Sequence, residues 1–179
     1  RAGGIAMDRM IVAFSERRDA DAARFAQDTA DHLEMSLRGR EAPIPGLRET
    51  VSAYCNVALT FVNLHRPDEG VRYARRALEL ARTDTSSDRP LSQALSQLAV
   101  SLRAQGNVEE AMAVIREAHA LIDRLSYDTD TDRVISRYAV LLREGQILGE
   151  DRGVSLERPA EAVAPLREAL AMNEAAARR

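Results

Sequence analysis

The stretch "DTDTD" at 128–132 sets acids at alternate positions, as the opening of a calcium-binding loop does. Such a loop also needs Gly at its sixth position and Glu at its twelfth, to turn the chain and complete the coordination. Those positions hold Arg133 and Ala139. The stretch therefore reads as a polar linker, with Asp130 or Asp132 capping the helix that follows. His32, His65 and His119 stand far apart, and none belongs to an HxxxH or HExxH pair that would set two ligands on one helix face. No metal and no other cofactor is expected. Cys55 would serve as a nucleophile only with a base beside it. In "AYCNVAL" no histidine is near in sequence, which suits an inert, half-buried thiol. One cysteine also excludes an internal disulfide framework.

All 25 basic residues are arginine; lysine is absent. A Walker-type phosphate loop, a kinase core and Schiff-base catalysis each need a lysine amine, so none fits within this chain. With no constellation left to carry a reaction, the chain is expected not to be an enzyme. "RYARRALELAR" at 72–82 gathers four arginines, but acids at Asp68, Glu69 and Glu79 lie within helical pairing distance. No aromatics are interleaved there for base stacking, so it reads as a solvated helix face. A formal net charge of −3 gives no overall pull toward nucleic acid or an anionic membrane. No run approaches the roughly 20 apolar residues of a membrane span. The sequence opens at Arg1 without a basic-then-apolar leader, so a piece of a longer chain is expected, with the cytoplasm as default location.

The elements that carry these residues are legible from spacing. Leu95, Leu98, Ala99 and Leu102 follow i, i+3, i+4, i+7 and make one face of a helix. Gly106-Asn107 supplies a turn, because both residues tolerate left-handed backbone angles. Ala111, Val114, Ile115, Ala118, Leu121 and Ile122 make the face of a second helix. The same grammar occurs upstream, with Tyr54, Val57, Ala58 and Phe61, then Gly70, Ala74, Ala77 and Leu80. "LERPAEAVAPLREALAM" at 156–172 mirrors "LHRPDEGVRYARRALEL" at 64–80, with Pro67 and Pro159 each opening a helix where a missing N–H is harmless. Pro165 lies further in and admits a kink. In the first hairpin Ala23, Gln27, Ala30 and Leu33 take the second-helix positions.

This large–small pattern resembles tetratricopeptide repeats, whose period is about 34 residues. It departs from the family in lacking Trp and in placing Arg82 and Asp123 where the repeat ends on Pro. Gly70, Ala111 and Ala162 also stand further apart than the compact period allows. Polar breaks at 40–46, 83–90, 126–132 and 149–155 lengthen the connections. The long hairpins are also similar to repeat tails of large bacterial signalling proteins, Ser/Thr kinases among them. The expected fold is all-α, a tetratricopeptide-like superhelix of about four antiparallel hairpins at 3–38, 48–82, 90–125 and 131–177, forming one repeat domain over 1–179.

A hairpin with apolar faces on both helices cannot bury them alone, and stacking hairpins leaves a curved groove. The resemblance implies a non-catalytic scaffold that binds a protein or peptide there. The alternative is a ligand-sensing or regulatory segment attached to a kinase or transcription regulator. The resemblance also implies contacts from the first helix of each pair, with "LAVSLR" at 98–103 matched to "YAVLLR" at 138–143. The contact positions then hold Asn56; Gln93, Gln97 and Arg103; and Arg133, Arg137 and Arg143. Arg133 and Arg137 stand four apart, where two guanidinium forks suit an acidic partner. Family members that hold a peptide's terminal carboxylate use upstream Lys and Asn as well; Cys55 and Leu59 stand there here, so that full clamp is not present.

Overall fold

The chain is described by a computed structural model over residues 2–39, 46–83, 88–122, 124, 130–150 and 153–177. These residues form eight helices and no strand: α1 (Ala2–Ser15), α2 (Asp19–Leu37), α3 (Leu47–Asn63), α4 (Pro67–Ala81), α5 (Asp88–Gln105), α6 (Val108–Ile122), α7 (Asp130–Gly149) and α8 (Pro159–Ala177). Consecutive helices pair as hairpins, α1 with α2 through to α7 with α8. Between hairpins α2 packs on α3, α4 on α5 and α6 on α7. The first helices also touch in series, α3 with α5 and α5 with α7. The fold is all-α and built of four hairpins.

Each hairpin is closed by one residue in the left-handed region: Arg17 (φ 56°), His65 (φ 57°), Gly106 (φ 93°) and Glu157 (φ 56°). In the first three, the next N–H reaches back five residues, Arg18 to Ala13 O, Arg66 to Phe61 O and Asn107 to Leu102 O, all near 2.9 Å. This bond satisfies a carbonyl left open at the helix end. Only Gly106 adopts the angle freely; a side chain there costs on the order of 1–2 kcal/mol. The last connection is longer. Leu156 and Arg158 donate to Ile147 and Leu148 carbonyls, so the chain runs back along α7 before α8 begins.

These turns fix the register of the second helices. Five residues past each left-handed residue stand Ala22, Gly70, Ala111 and Ala162, all buried. A Cβ on Gly70 would lie 2.7 Å from Val62 Cγ2 and 3.2 Å from the Ala58 carbonyl, so α3 and α4 approach too closely for any side chain. The register expected for α2 is corrected by one residue: Ala22, Ala26, Thr29 and Ala30 are buried, while Gln27 is exposed. The first turn carries Arg17 rather than Gly, so nothing in composition marks it. Pro165 does not end α8, which runs on to Ala177.

The core runs through the middle hairpins. Tyr54, Phe61, Leu95, Leu102 and Ile115 are fully buried, and Tyr73 stacks on both Phe61 and Tyr54 with ring centroids 5.5 and 6.4 Å apart. Arg76 bonds Glu34 from α4 to α2, and the Tyr54 hydroxyl donates to the same carboxylate at 2.8 Å. Burial alone would raise the Glu34 pKa, but the bonds from Arg76 and Tyr54 outweigh it and hold the carboxyl below its ordinary value. The arginines of 72–82 mostly reach other hairpins rather than Asp68 and Glu69. Arg75 pairs with Glu110, Arg76 with Glu34 and Glu79, and Arg82 with Glu117.

Candidate functional site

Where α3, α5 and α7 lie side by side they line a half-open cavity of about 330 Å³. Every described lining residue comes from a first helix of its hairpin. On α5 Gln93 and Gln97 stand four apart and so share a face; on α7 Ser136, Ala139, Val140 and Arg143 follow the same helical spacing. Arg48, Cys55 and Asn56 line it from α3, and Arg89 from the start of α5.

Each polar side chain described in it can donate a hydrogen bond. Gln93 Nε2 donates to Ser52 Oγ at 3.3 Å, and Asn56 Nδ2 lies 3.9 Å from Met7 Sδ. Gln97 is 8% exposed and its Nε2 is buried with no partner. Arg143 is half-buried; its Nη1 donates to the Ala139 carbonyl at 3.0 Å, and its Nε is buried with no partner. Burial pulls the Arg143 pKa down, because desolvation penalises the charged form. The same effect pushes the Cys55 thiol up to about 12, so it is neutral at pH 7. Among the described lining residues none is acidic. Hydrogen-bond donors and a cation in a half-open cavity suit holding a ligand, and a neutral thiol is no nucleophile.

Residues 49–124 match the family described as tetratricopeptide repeat. They belong to it. Comparison with curated proteins gives no match. The tetratricopeptide segment takes in most of α3 and all of α4, α5 and α6, and two of the three cavity-lining helices arise from it. Repeats of this family are typically non-catalytic scaffolds for protein interaction, whose stacked hairpins present an extended binding surface.

The residues singled out from sequence divide in two. Asn56, Gln93, Gln97 and Arg143 line the cavity together. Arg103, Arg133 and Arg137 are not among its lining. Arg103 donates through Nε to the Val154 carbonyl at 2.9 Å and pairs with Glu150. Arg137 turns both Nε and Nη2 onto Glu168 of α8, at 2.9 and 2.8 Å. Arg133 is exposed on α7. Sequence reasoning missed Arg48 and Arg89. Their only signal was position, each near the start of a helix whose next turns carry the cavity face. Leu59, at the remaining clamp position, is 40% exposed and does not line the cavity.

The other polar motifs have local partners. His32 Nδ1 lies 2.6 Å from the Asp28 carbonyl, His119 Nδ1 lies 2.8 Å from Glu144 Oε2, and His65 forms the α3–α4 turn. In the "DTDTD" stretch, 128–129 lie outside the described residues and Asp130 opens α7. Among the described residues no group of three or more His, Cys, Asp or Glu is arranged to hold a metal ion. No helix among them is long and apolar enough to cross a membrane.

Proposed function

We propose that this chain is a scaffold that receives a peptide segment of a partner protein across the face formed by α3, α5 and α7. What supports the reading is that the described lining of the cavity comes from first helices, three in series, with donors outnumbering acceptors among its side chains. A peptide backbone offers one carbonyl per residue, and Asn56, Gln93 and Gln97 are amides able to bond such groups without regard to side chain. Arg48 and Arg143 bias the face toward acidic segments. Arg103 and Arg137, taken up by Glu150 and Glu168, support the hairpin rather than the ligand.

A peptide array of random sequence tests this. The wild-type chain retains a subset of peptides, and Asn56→Ala with Gln93→Ala weakens retention by about tenfold, the loss of two hydrogen bonds at roughly 0.7 kcal/mol each. Arg75→Ala with Arg116→Ala, on second helices, leaves retention unchanged. Loss in the second variant and not the first places the contact elsewhere and overturns the reading.

A further inference from the structure

The fourth hairpin exposes apolar residues at positions that the earlier hairpins bury or engage. Ala30, Leu78, His119 and Leu170 each stand thirteen residues past a left-handed turn residue. Ala30 and Leu78 are buried, and His119 reaches Glu144 on α7, in the hairpin that follows its own. Leu170 is exposed. Seven residues earlier the pattern recurs: Val71 and Met112 are buried and Val163 is exposed. With Leu166 between them, Val163 and Leu170 make one apolar stripe along α8.

The first hairpin carries a matching half. Five residues before the left-handed residue stand Val12, Thr60 and Ser101. Ser101 lies against Gly70 of the preceding hairpin, where a Cβ would be 3.5 Å from its Oγ. Thr60 and Ser101 are buried, whereas Val12 is 48% exposed. Phe25 holds the place of Tyr73, whose hydroxyl donates to Gln27 of the preceding hairpin at 2.7 Å. Val12 and Phe25 line an open hollow of about 360 Å³ with Asp8, Arg9 and Arg18. Exposed apolar surface gathered in this way marks a place where another protein sits.

We propose that copies of this chain stack head to tail, the α8 stripe of one copy seated on Val12 and Phe25 of the next. Register selects a second copy as the occupant. The two faces are the two halves of the junction already repeated between hairpins, and one chain holds both. The ion pair that crosses from α4 to α6, Arg75 with Glu110, has its equivalents in Arg167 of α8 and Asp21 of α2. The crossing pair Arg82 with Glu117 has Glu174 and Asp28 as equivalents, two acids. One attraction and one repulsion leave the apolar contact to hold the copies together. Two different patches meet in such a contact, so it propagates to a ring or a filament and does not close as a two-fold dimer.

Sedimentation velocity of the whole chain, from micromolar to submillimolar concentration, tests this. The mean mass rises past that of a dimer, and added salt leaves it there. Leu170→Asp and Val12→Asp each raise the dissociation constant by about tenfold or more, because a charge enters an apolar contact. An equimolar mixture of the two variants restores dimers and nothing larger, since each keeps the face that the other lacks. Circular dichroism checks that both keep their helices; should either lose them, Leu170→Ser and Val12→Ser take their places, with the same pattern at smaller amplitude. Monomer at every concentration overturns the proposal and leaves the two faces to a different protein. Association lost in Leu170→Asp but kept in Val12→Asp also overturns it, and assigns α8 to a two-fold contact with its own copy. A mixture that stays monomeric overturns it as well.

Discussion

α6 and α8 are the second helices of adjacent hairpins, aligned by their turns, with Ala111, Ile115 and Ala118 matching Ala162, Leu166 and Ala169. α6 lies between α5 and α7 and buries Val108, Ala111, Met112, Ile115, Ala118, Leu121 and Ile122. α8 rests on α7, and among its described residues buries Ala162 and Ala169. Val163 and Leu170 are 47% and 56% exposed. The two helices share a register and differ in neighbours. In a stacked array it is the next hairpin that turns an amphipathic helix into a buried one. The close approach has also changed sides. In the second hairpin the glycine is Gly70 on α4, against Val62; in the fourth it is Gly145 on α7, where a Cβ would run into the Leu166 side chain.

If neighbours set the energetics, the same overpacking should cost more in α6 than in α8. Ala118→Leu is expected to cost about 3 kcal/mol and Ala169→Leu about 1 kcal/mol, read from urea unfolding midpoints. Equal costs would mean that the hairpin, not the stack, is the packed unit. The glycine pair sharpens this. Gly70→Ala meets a β-branched side chain and a backbone carbonyl, and should cost about 2 kcal/mol. Gly145→Ala meets the flexible, partly exposed Leu166, and the gain in helix propensity of about 1 kcal/mol offsets much of the strain. A Gly145→Ala variant as unstable as Gly70→Ala would show α8 to be held as rigidly as α4.

The hairpins at the centre of the chain were legible because each supplies its own punctuation. Gly106-Asn107 announces a turn, and large and small residues repeat on either side of it. The first hairpin was read one residue out of register because Arg17 does a glycine's work without looking like one. The site was half legible. The family resemblance, carried along the register of the first helices, marked Asn56, Gln93, Gln97 and Arg143 as contacts, and all four line the cavity. It could not show that Arg137 is drawn to Glu168 on α8, or Arg103 to Glu150, because those partners depend on how closely helices approach. Burial of Arg143 is likewise a property of three helices meeting, and no single segment contains it.

The smallest expected effect concerns the two mirrored turns. His65 and Glu157 hold the same place in "LHRP" and "LERP", with φ 57° and 56°. His65→Gly should stabilise the chain by about 1 kcal/mol, by relieving the left-handed strain. Glu157→Gly should yield less, because the longer 150–158 connection already spends freedom that glycine would increase in the unfolded chain. Thermal unfolding of both variants decides it, and a larger gain at 157 would reverse the order.

Arg103 joins α5 to the connection between α7 and α8, bonding the Val154 carbonyl and Glu150. In arrays held only by adjacent contacts, a terminal hairpin can fray while the interior stays closed. Here a latch from the third hairpin crosses to the fourth, so loosening the connection exposes a guanidinium that α5 had kept engaged. Amide protons near Arg103 and those of the 153–158 segment are therefore expected to share an opening event in hydrogen exchange, with the C-terminal end breathing together with the middle of the molecule rather than ahead of it.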